Sequence, residues 1–486
     1  MRLTVIGGGG FRIPQLFSAL GREDAPLVVD ELHLYDVQPE RLDIMRRITA
    51  HLAPGLPRAP RVTAGTDLDE AIRGSDFIFS AMRIGGIDGR IADERTALDL
   101  GVLGQETVGP GGLAYALRTL PVAVSLAERV RDLAPEAWLI NFTNPAGLVT
   151  EAMRRVLGHR VVGICDTPIG LMRRAIRVAG EIGGSMAAGS GVAAGGIAGS
   201  WPADSGSGLD RVDFDYVGLN HLGWLRRLSV DGIDVLPEVL RSDEALEGIE
   251  EARLMGFDWI RALGALPNEY LYYYYFTREA VERISTGSET RGEYLKQQQD
   301  RFYADALTTD AAETHRLWEA TLRDREFSYM AESRSEEDRD GRLAEDVEDG
   351  GYQRVAIELM TALSGGAPAT MILNVGNMAA AGAGPIVAGL PENAVIEVPC
   401  LVDSAGVHPQ RVAPVAGDML GLMQQVKAAE QLIIEASRLR DPRLAWRAFA
   451  IHPLVDSVSV GRRLLDDYRA RIPGVAAALD DGPARG

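Results

Sequence analysis

Cysteine is almost absent from this sequence: Cys165 and Cys400 are its only two among 486 residues. Two cysteines are too few for a disulfide framework, so we expect a reducing compartment and a cytoplasmic location. Long apolar runs are also lacking. Residues 182–203 carry no charge, but glycine, alanine and serine dominate them, so this segment is too polar to span a membrane. A strand-like run begins at Leu3, which leaves no room for a signal peptide.

Basic residues are in the minority, with 50 lysines and arginines against 69 acids and a net charge of −19. A surface this acidic repels phosphate backbones, which argues against nucleic acid as a partner. It does not exclude an anionic small molecule, because local arginines can override the global field. The length predicts two domains, and the share of apolar residues, 46%, is that of a soluble globular protein.

The first 170 residues alternate short apolar runs with helix-like stretches, which predicts a Rossmann-type, doubly wound α/β sheet. The predicted strands are Leu3–Ile6, Glu31–Tyr35, Asp76–Ala81, Trp138–Ile140 and Val161–Ile164. The helices predicted between them are Arg41–His51, Ala114–Asp132 and Leu148–Leu157. Further on we expect a strand over Phe214–Leu219 and helices over Tyr294–Leu307, Thr308–Leu322 and Met419–Leu439.

A glycine-rich loop follows the first predicted strand. Its residues are Gly7, Gly8, Gly9, Gly10, Phe11 and Arg12. Glycines at this place let the backbone approach a pyrophosphate at a helix N-terminus, although Arg12 or Ile13 stands where a third fingerprint glycine would fall. Asp36 ends the second strand, where a carboxylate accepts ribose hydroxyls and favours NAD over NADP. The alternative is a plain strand-to-helix turn with a surface aspartate.

Six further segments occur in an order that points to one family. They are Arg90–Glu94, Gly104–Gly112, Asn141–Gly147, Gly163–Pro168, Gly218–His221 and Asn268–Tyr274. Together with the glycine-rich loop, this ordered set resembles glycoside hydrolase family 4, the 6-phospho-α- and 6-phospho-β-glucosidases. The resemblance runs from residue 1 to about residue 415. Two departures, the Gly/Ala/Ser-rich residues 182–209 and the charged run 333–348, lie outside the motifs.

The resemblance implies a lactate/malate dehydrogenase-like fold and a redox-assisted reaction. NAD first oxidises the sugar at C3. The C2 proton and the group on C1 are then eliminated, water adds, and the bound NADH returns the hydride. The implied domains are 1–180 for NAD, a Gly/Ala/Ser-rich loop 181–209, a C-terminal α+β substrate and metal domain 210–475, and a tail 476–486. The implied partner is a small phosphorylated glycoside, and we expect a homo-oligomer, a dimer or tetramer.

The resemblance assigns Cys165 and His221 to a divalent metal, with Mn²⁺ as the family's usual ion. Each residue comes just after an apparent strand, where a doubly wound sheet gathers its ligands. A thiolate is a soft ligand for manganese, so other divalent ions are expected to compete. Without the resemblance, a buried apolar cysteine and a structural histidine would be the simpler interpretation.

Three residues match the family's catalytic positions. Tyr270 is the expected base, and because a free phenol titrates near ~10, something must favour its phenolate. Glu106 matches an acid that tunes this tyrosine, and Asp166 is the expected general acid. An acid after the metal cysteine resembles the α-specific members, whereas related chains commonly carry the β name. The anomer therefore stays open, with 6-phospho-β-glucosidase favoured by name.

Arg90 and Asn144 match substrate-binding positions, and Arg291 matches a residue near the sugar phosphate. An arginine fork suits phosphate or another oxyanion, so a sugar with a different anionic group remains an alternative. Two other classes of protein remain as alternatives: a 2-hydroxy-acid dehydrogenase that uses NAD, and a non-catalytic NAD-binding protein. A dehydrogenase would produce net NADH, and a binding protein would need none of Cys165, His221 and Tyr270.

Overall fold

The computed structural model describes residues 1–190, 212–328, 351–379 and 384–480. Within these residues one sheet of 13 strands runs through both halves of the chain. Its strands are β1 Arg2–Ile6, β2 Glu31–Tyr35, β3 Arg61–Gly65, β4 Phe77–Ser80, β5 Trp138–Asn141, β6 Val161–Gly163, β7 Val212–Leu219, β8 Leu222–Val230, β9 Ile233–Asp234, β10 Leu266–Pro267, β11 Ala369–Gly376, β12 Val395–Asp403 and β13 Gly406–Pro409.

The N-terminal half of the sheet is parallel, in the order β3-β2-β1-β4-β5-β6. This order reverses between β1 and β4, which opens a crevice at the carboxyl ends of these strands. The Rossmann-type prediction is confirmed, and all five predicted strands are present. Strand β3 was missed because RVTAG is an edge strand of exposed and half-buried residues with no apolar run.

The C-terminal half continues the same sheet with antiparallel strands, in the order β11-β12-β7-β8-β10. Strand β11 meets β6 through the pair Asn374 and Gly163. A Cβ at Gly163 would lie 2.8 Å from the Cβ of Asn374, so glycine permits this close approach. The strand expected over Phe214–Leu219 lies within β7. The boundaries of the two domains stay a prediction.

Twenty α-helices surround the sheet in the part of the chain that the structure describes. They are α1 Ile13–Gly21, α2 Pro39–Leu52, α3 Leu68–Ile72, α4 Gly86–Leu98, α5 Gly109–Leu133, α6 Ala146–Leu157, α7 Thr167–Ser190, α8 Leu236–Arg241, α9 Asp243–Glu247, α10 Glu250–Met255, α11 Phe257–Leu263, α12 Tyr272–Tyr275, α13 Thr277–Thr286, α14 Arg291–Ala306, α15 Ala311–Phe327, α16 Tyr352–Leu363, α17 Gly417–Leu439, α18 Pro442–Ile451, α19 Val458–Arg471 and α20 Pro473–Leu479. The six predicted helices correspond to α2, α5, α6, α14, α15 and α17. None of the described helices has both the length and the apolarity needed to cross a bilayer.

Two sequence predictions are wrong in part. The loop expected over 181–209 begins later, because α7 continues to Ser190 through a run that contains no proline. The rest of that segment and the charged run 333–348 lie outside the described residues. The tail expected over 476–486 is helical up to Leu479, in α20. Val475 and Leu479 are buried in a cluster with residues of α5, so this end of the chain belongs to the core.

Candidate functional site

The glycine-rich loop connects β1 to α1 at the crevice of the sheet. Gly7 has a φ of +96°, and a Cβ there would lie 2.6 Å from the carbonyl oxygen of Ala81. The amide of Gly9 donates to Oδ2 of Asp36 at 3.0 Å. Glycine is therefore required by backbone conformation and close approach, and the structure places Asp36 directly beside the loop.

The next two residues have different surroundings. The ring of Phe11 is buried against Phe302 at 5.2 Å, and the Phe11 carbonyl accepts from the Trp318 indole at 2.7 Å. The exposed guanidinium of Arg12 lies 3.7 Å from the carboxylate of Asp166. Phe11 therefore anchors the loop in the core, whereas Arg12 reaches the predicted general acid.

His221 lies at the tip of the tight turn between β7 and β8. Leu219 pairs with Leu222 across this turn, and a Cβ at Gly218 would lie 2.2 Å from the Leu222 carbonyl oxygen. His221 adopts a φ of +63° and is only 4% exposed. A left-handed conformation in a residue other than glycine is uncommon and is often found at functional positions.

A chain of hydrogen bonds connects Cys165 with Tyr270. The Sγ of Cys165 lies 3.4 Å from Oγ1 of Thr167, which accepts from Nδ2 of Asn268 at 2.7 Å. Oδ1 of Asn268 then accepts from the amide of Tyr270 at 3.0 Å. The Tyr270 ring stacks on His221 with ring centroids 3.8 Å apart and planes 4° apart. The structure thus brings together both predicted metal ligands and the predicted base.

Burial controls the protonation of the two predicted ligands. Burial raises the pKa of the Cys165 thiol, and Asp166 raises it further. Burial also lowers the pKa of His221 to about 4, against the opposing charges of Asp166 and Glu106. The imidazole is therefore neutral at neutral pH, with a lone pair for a metal. A divalent cation beside the sulfur would offset the cost of a buried thiolate, so this donor pair fits a metal.

In the described ranges no group of three or more His, Cys, Asp and Glu side chains could hold a metal ion. Cys165 and His221 alone would leave several coordination positions for ligands that are not protein. This arrangement suits a catalytic metal, which keeps positions open for water and substrate, better than a closed structural site.

Glu106 is held between two arginines. Its carboxylate accepts from Nη1 of Arg90 at 2.9 Å and also pairs with Arg83. Burial would raise the pKa of Glu106, but the charges of Arg83 and Arg90 outweigh it and lower the pKa to about 2. Glu106 is therefore ionised throughout the neutral range and places a negative charge near His221.

The other predicted substrate residues lie around this centre. Oδ1 of Asn144 and Oδ1 of Asn220 both accept from the amide of Ala146, each at 3.2 Å. Asn144 is therefore beside the turn that carries His221. Nη1 of Arg291 donates to Oγ of Ser328 at 2.8 Å, which ties the start of α14 to the end of α15.

Sequence reasoning missed Arg325. It belongs to α15, and its carbonyl accepts from Nη2 of Arg291 at 3.0 Å. Burial and the charges of Arg12, Arg291 and Arg83 lower the pKa of Arg325 to about 9. The Arg325 guanidinium therefore lies within electrostatic reach of three others, and such a cluster of positive charges favours an anion nearby. No motif surrounds Arg325 in the sequence, and only the fold brings it to this cluster.

A glycine-rich loop at the switch point of a parallel sheet, next to a buried Cys–His pair and a stacked tyrosine, is typical of an enzyme that combines a dinucleotide with a metal. The chain belongs to family 4 of the glycosyl hydrolases. The Family 4 glycosyl hydrolase model matches residues 2–181, and the model of the family's C-terminal domain matches residues 216–455. The resemblance noted in the sequence is confirmed.

Relatives named for both anomers match nearly the whole chain. A probable 6-phospho-beta-glucosidase of Bacillus subtilis is 29% identical over 97% of each chain. The 6-phospho-alpha-glucosidase 1 of Lacticaseibacillus paracasei is 27% identical over 96% of each chain. The solved structure of a Thermotoga maritima 6-phospho-beta glucosidase with manganese, NAD⁺ and glucose-6-phosphate is 26% identical, with a TM-score of 0.72 over 97% of this chain and 98% of that chain.

Proposed function

We propose that this protein hydrolyses a 6-phosphoglucoside with bound NAD and a divalent metal. The observation that carries the proposal is the stacking of Tyr270 on His221, with ring centroids 3.8 Å apart. This contact puts the proposed base next to a proposed metal ligand. Relatives named as 6-phosphoglucosidases over nearly the full length support the substrate class.

The residues present fit both cofactors. Gly7 to Gly10 and Asp36 would hold NAD, which supplies reversible oxidation at the sugar C3. Cys165 and His221 would hold the metal, which acts as a Lewis acid on sugar oxygens. Manganese is the ion in the Thermotoga maritima structure. The thiolate ligand leaves other divalent ions as competitors.

The protein's own side chains move the protons. Tyr270 would remove the C2 proton, and a metal held by Cys165 and His221 would supply positive charge that favours its phenolate. Asp166, partly exposed and 3.7 Å from Arg12, protonates the leaving oxygen. Arg90 and Asn144 orient the sugar. Because loss of the C2 proton, and not direct displacement, drives departure of the C1 group, this arrangement can accept either anomer.

The arginine cluster supports an anionic substrate. Arg325, with Arg12, Arg83 and Arg291 within electrostatic reach of it, would supply positive charge for a phosphate on a protein whose net charge is −19. We favour the β anomer because a relative at 29% identity carries that name, and the α anomer is an outcome of the assay. Cytoplasmic location and homo-oligomeric assembly stay predictions from the sequence.

The first test is turnover of both anomers of a 6-phosphoglucoside by the purified protein. Activity should require added NAD and a divalent metal, and exhaustive chelation should abolish it. No net NADH should accumulate, whereas a 2-hydroxy-acid dehydrogenase would accumulate it. A non-catalytic NAD-binding protein would show no turnover at all. Full activity after removal of both NAD and metal would refute the proposal.

The second test is the reaction in D₂O. Proton removal by Tyr270 permits exchange with solvent, so the released sugar should carry deuterium at C2 while the hydrogen at C3 is retained. A glycosidase that uses two carboxylates breaks no carbon–hydrogen bond and would label neither carbon. A substrate deuterated at C2 that shows neither washout in H₂O nor a kinetic isotope effect would rule out Tyr270 as a base at C2.

A further inference from the structure

Both oxygens of the Glu94 carboxylate are used at the contact between α4 and α14. Oε1 accepts from Nε of Arg90 at 2.7 Å, and Oε2 accepts from the backbone amide of Gly292 at 2.8 Å. Glu94 is only 2% exposed. Gly292 directly follows Arg291 in the first turn of α14. One buried carboxylate therefore connects the two helices that carry Arg90 and Arg291.

This contact depends on glycine at position 292. A Cβ built there would lie 2.7 Å from Oε2 of Glu94 and 3.3 Å from Cγ of Arg90. Because no side chain intervenes, the first turn of α14 packs directly against the carboxylate and the arginine. The position of Glu94 thus depends on the position of α14, and the reverse also holds.

Arg90 is held from two sides. Glu94 binds its Nε, and Glu106 binds its Nη1 at 2.9 Å. If Glu94 loses its charge, Glu106 becomes the main carboxylate partner that the structure shows for Arg90. The guanidinium of Arg90 can then shift toward Glu106, and the amide of Gly292 loses a charged acceptor.

We infer that Glu94 is a positioning residue that sets the separation of Arg90 and Arg291 and thereby the affinity for a phosphorylated sugar. The inference rests on the proposed function, which assigns these two arginines to the substrate. Glu94 itself does not need to touch the substrate. Its two hydrogen bonds hold an arginine side chain and a helix start in one arrangement before the sugar binds.

The neighbouring pair Arg95 and Glu293 provides a matched control. It joins the same two helices, with Nε of Arg95 2.8 Å from Oε1 of Glu293. Both of its side chains are partly exposed. Arg95→Met therefore removes two hydrogen bonds between α4 and α14 and leaves Glu94 and Glu106, the carboxylates on Arg90, in place.

The test measures binding of glucose 6-phosphate to the NAD-loaded protein by calorimetry. Glu94→Gln keeps the size of the side chain but leaves an acceptor for only one of the two donors. We expect its dissociation constant for glucose 6-phosphate to rise by ~10-fold or more, the scale of one lost charged hydrogen bond, with unchanged NAD affinity. In turnover, KM should rise more than kcat falls. Arg95→Met should stay within about fivefold of wild type, the range of an exposed ion pair.

A second variant keeps the inference testable if Glu94→Gln folds poorly. Gly292→Ala leaves the carboxylate in place but displaces it by steric contact, and it should weaken glucose 6-phosphate binding in the same direction. Unchanged affinity in both variants, or an equal loss in Arg95→Met, would overturn the inference.

The experiment measures binding and not turnover, so it separates the inference from the proposed function. A wild-type protein that binds glucose 6-phosphate but hydrolyses no glycoside would refute the proposed function alone. A wild type that binds no glucose 6-phosphate would overturn the inference as well.

Discussion

The proposed cofactor end and the proposed sugar end of this site are built in different ways. The cofactor end is a run of consecutive residues, Gly7 to Arg12, and it works mainly through its backbone, with Asp36 as the added side chain. The sugar end is assembled from side chains far apart in sequence, such as Glu106, His221 and Tyr270. A site made by the backbone requires small residues, whereas a site made by side chains requires particular chemical groups. Substitutions at the first end should therefore change NAD affinity, and substitutions at the second should change kcat or the KM for the sugar.

Tyr270→Phe should give the largest effect. Phenylalanine can keep the stack on His221 and loses only the hydroxyl, so kcat should fall by ~10²–10⁴-fold, the usual contribution of a general base. The affinity for NAD should not change, because the cofactor end does not contain this side chain. Steady-state turnover and NAD titration measure both. Tyr272→Phe, in the same aromatic run, is the control and should stay within a few-fold of wild type. Near-normal turnover in Tyr270→Phe would mean that the base lies elsewhere.

Arg325→Met should give an intermediate effect. The variant removes a guanidinium that lies within electrostatic reach of three others, so KM for a phosphorylated substrate should rise by ~10–100-fold. NAD affinity is the internal reference. Arg323→Met removes the same charge from an exposed position of α15 and should change KM little. Equal effects of the two variants would show that only the overall charge of the helix matters.

Asp36→Ala should give the smallest effect. Unlike the two variants above, it should weaken NAD binding and leave the kinetics with the sugar unchanged. The carboxylate that orients Gly9 and would accept the ribose hydroxyls is lost, so NAD should bind ~10-fold more weakly. At saturating NAD, kcat and the KM for the sugar should be close to wild type. Asp43→Ala, an exposed acid in α2, serves as the control. If Asp36→Ala instead lowers kcat at saturating NAD, the two ends are coupled and the comparison fails.

Much of the parallel half was predictable because its signals are local. Strand β4, FIFS, is buried throughout, and such apolar runs are read directly from sequence. Two missed elements lacked this signal: β3 is an edge strand, and α20 is seven residues long. Strands β11 and β12 were also missed, although both contain buried apolar runs. The six predicted site segments were recognised by their order along the chain. That step needed only the resemblance to the family and no knowledge of how the segments lie in space.

The sequence by itself determined the α/β class, the glycine-rich loop with Asp36, and the motifs that carry Cys165, His221 and Tyr270. Only the tertiary structure decided how these groups meet. Thr167 and Asn268 bond across 101 positions, and Glu94 and Gly292 bond across 198. Arg325 joins its cluster without any sequence signal. The physical reason is that hydrogen bonds and charges act between atoms that are close in space, and the packing of α4, α14 and the sheet sets those distances.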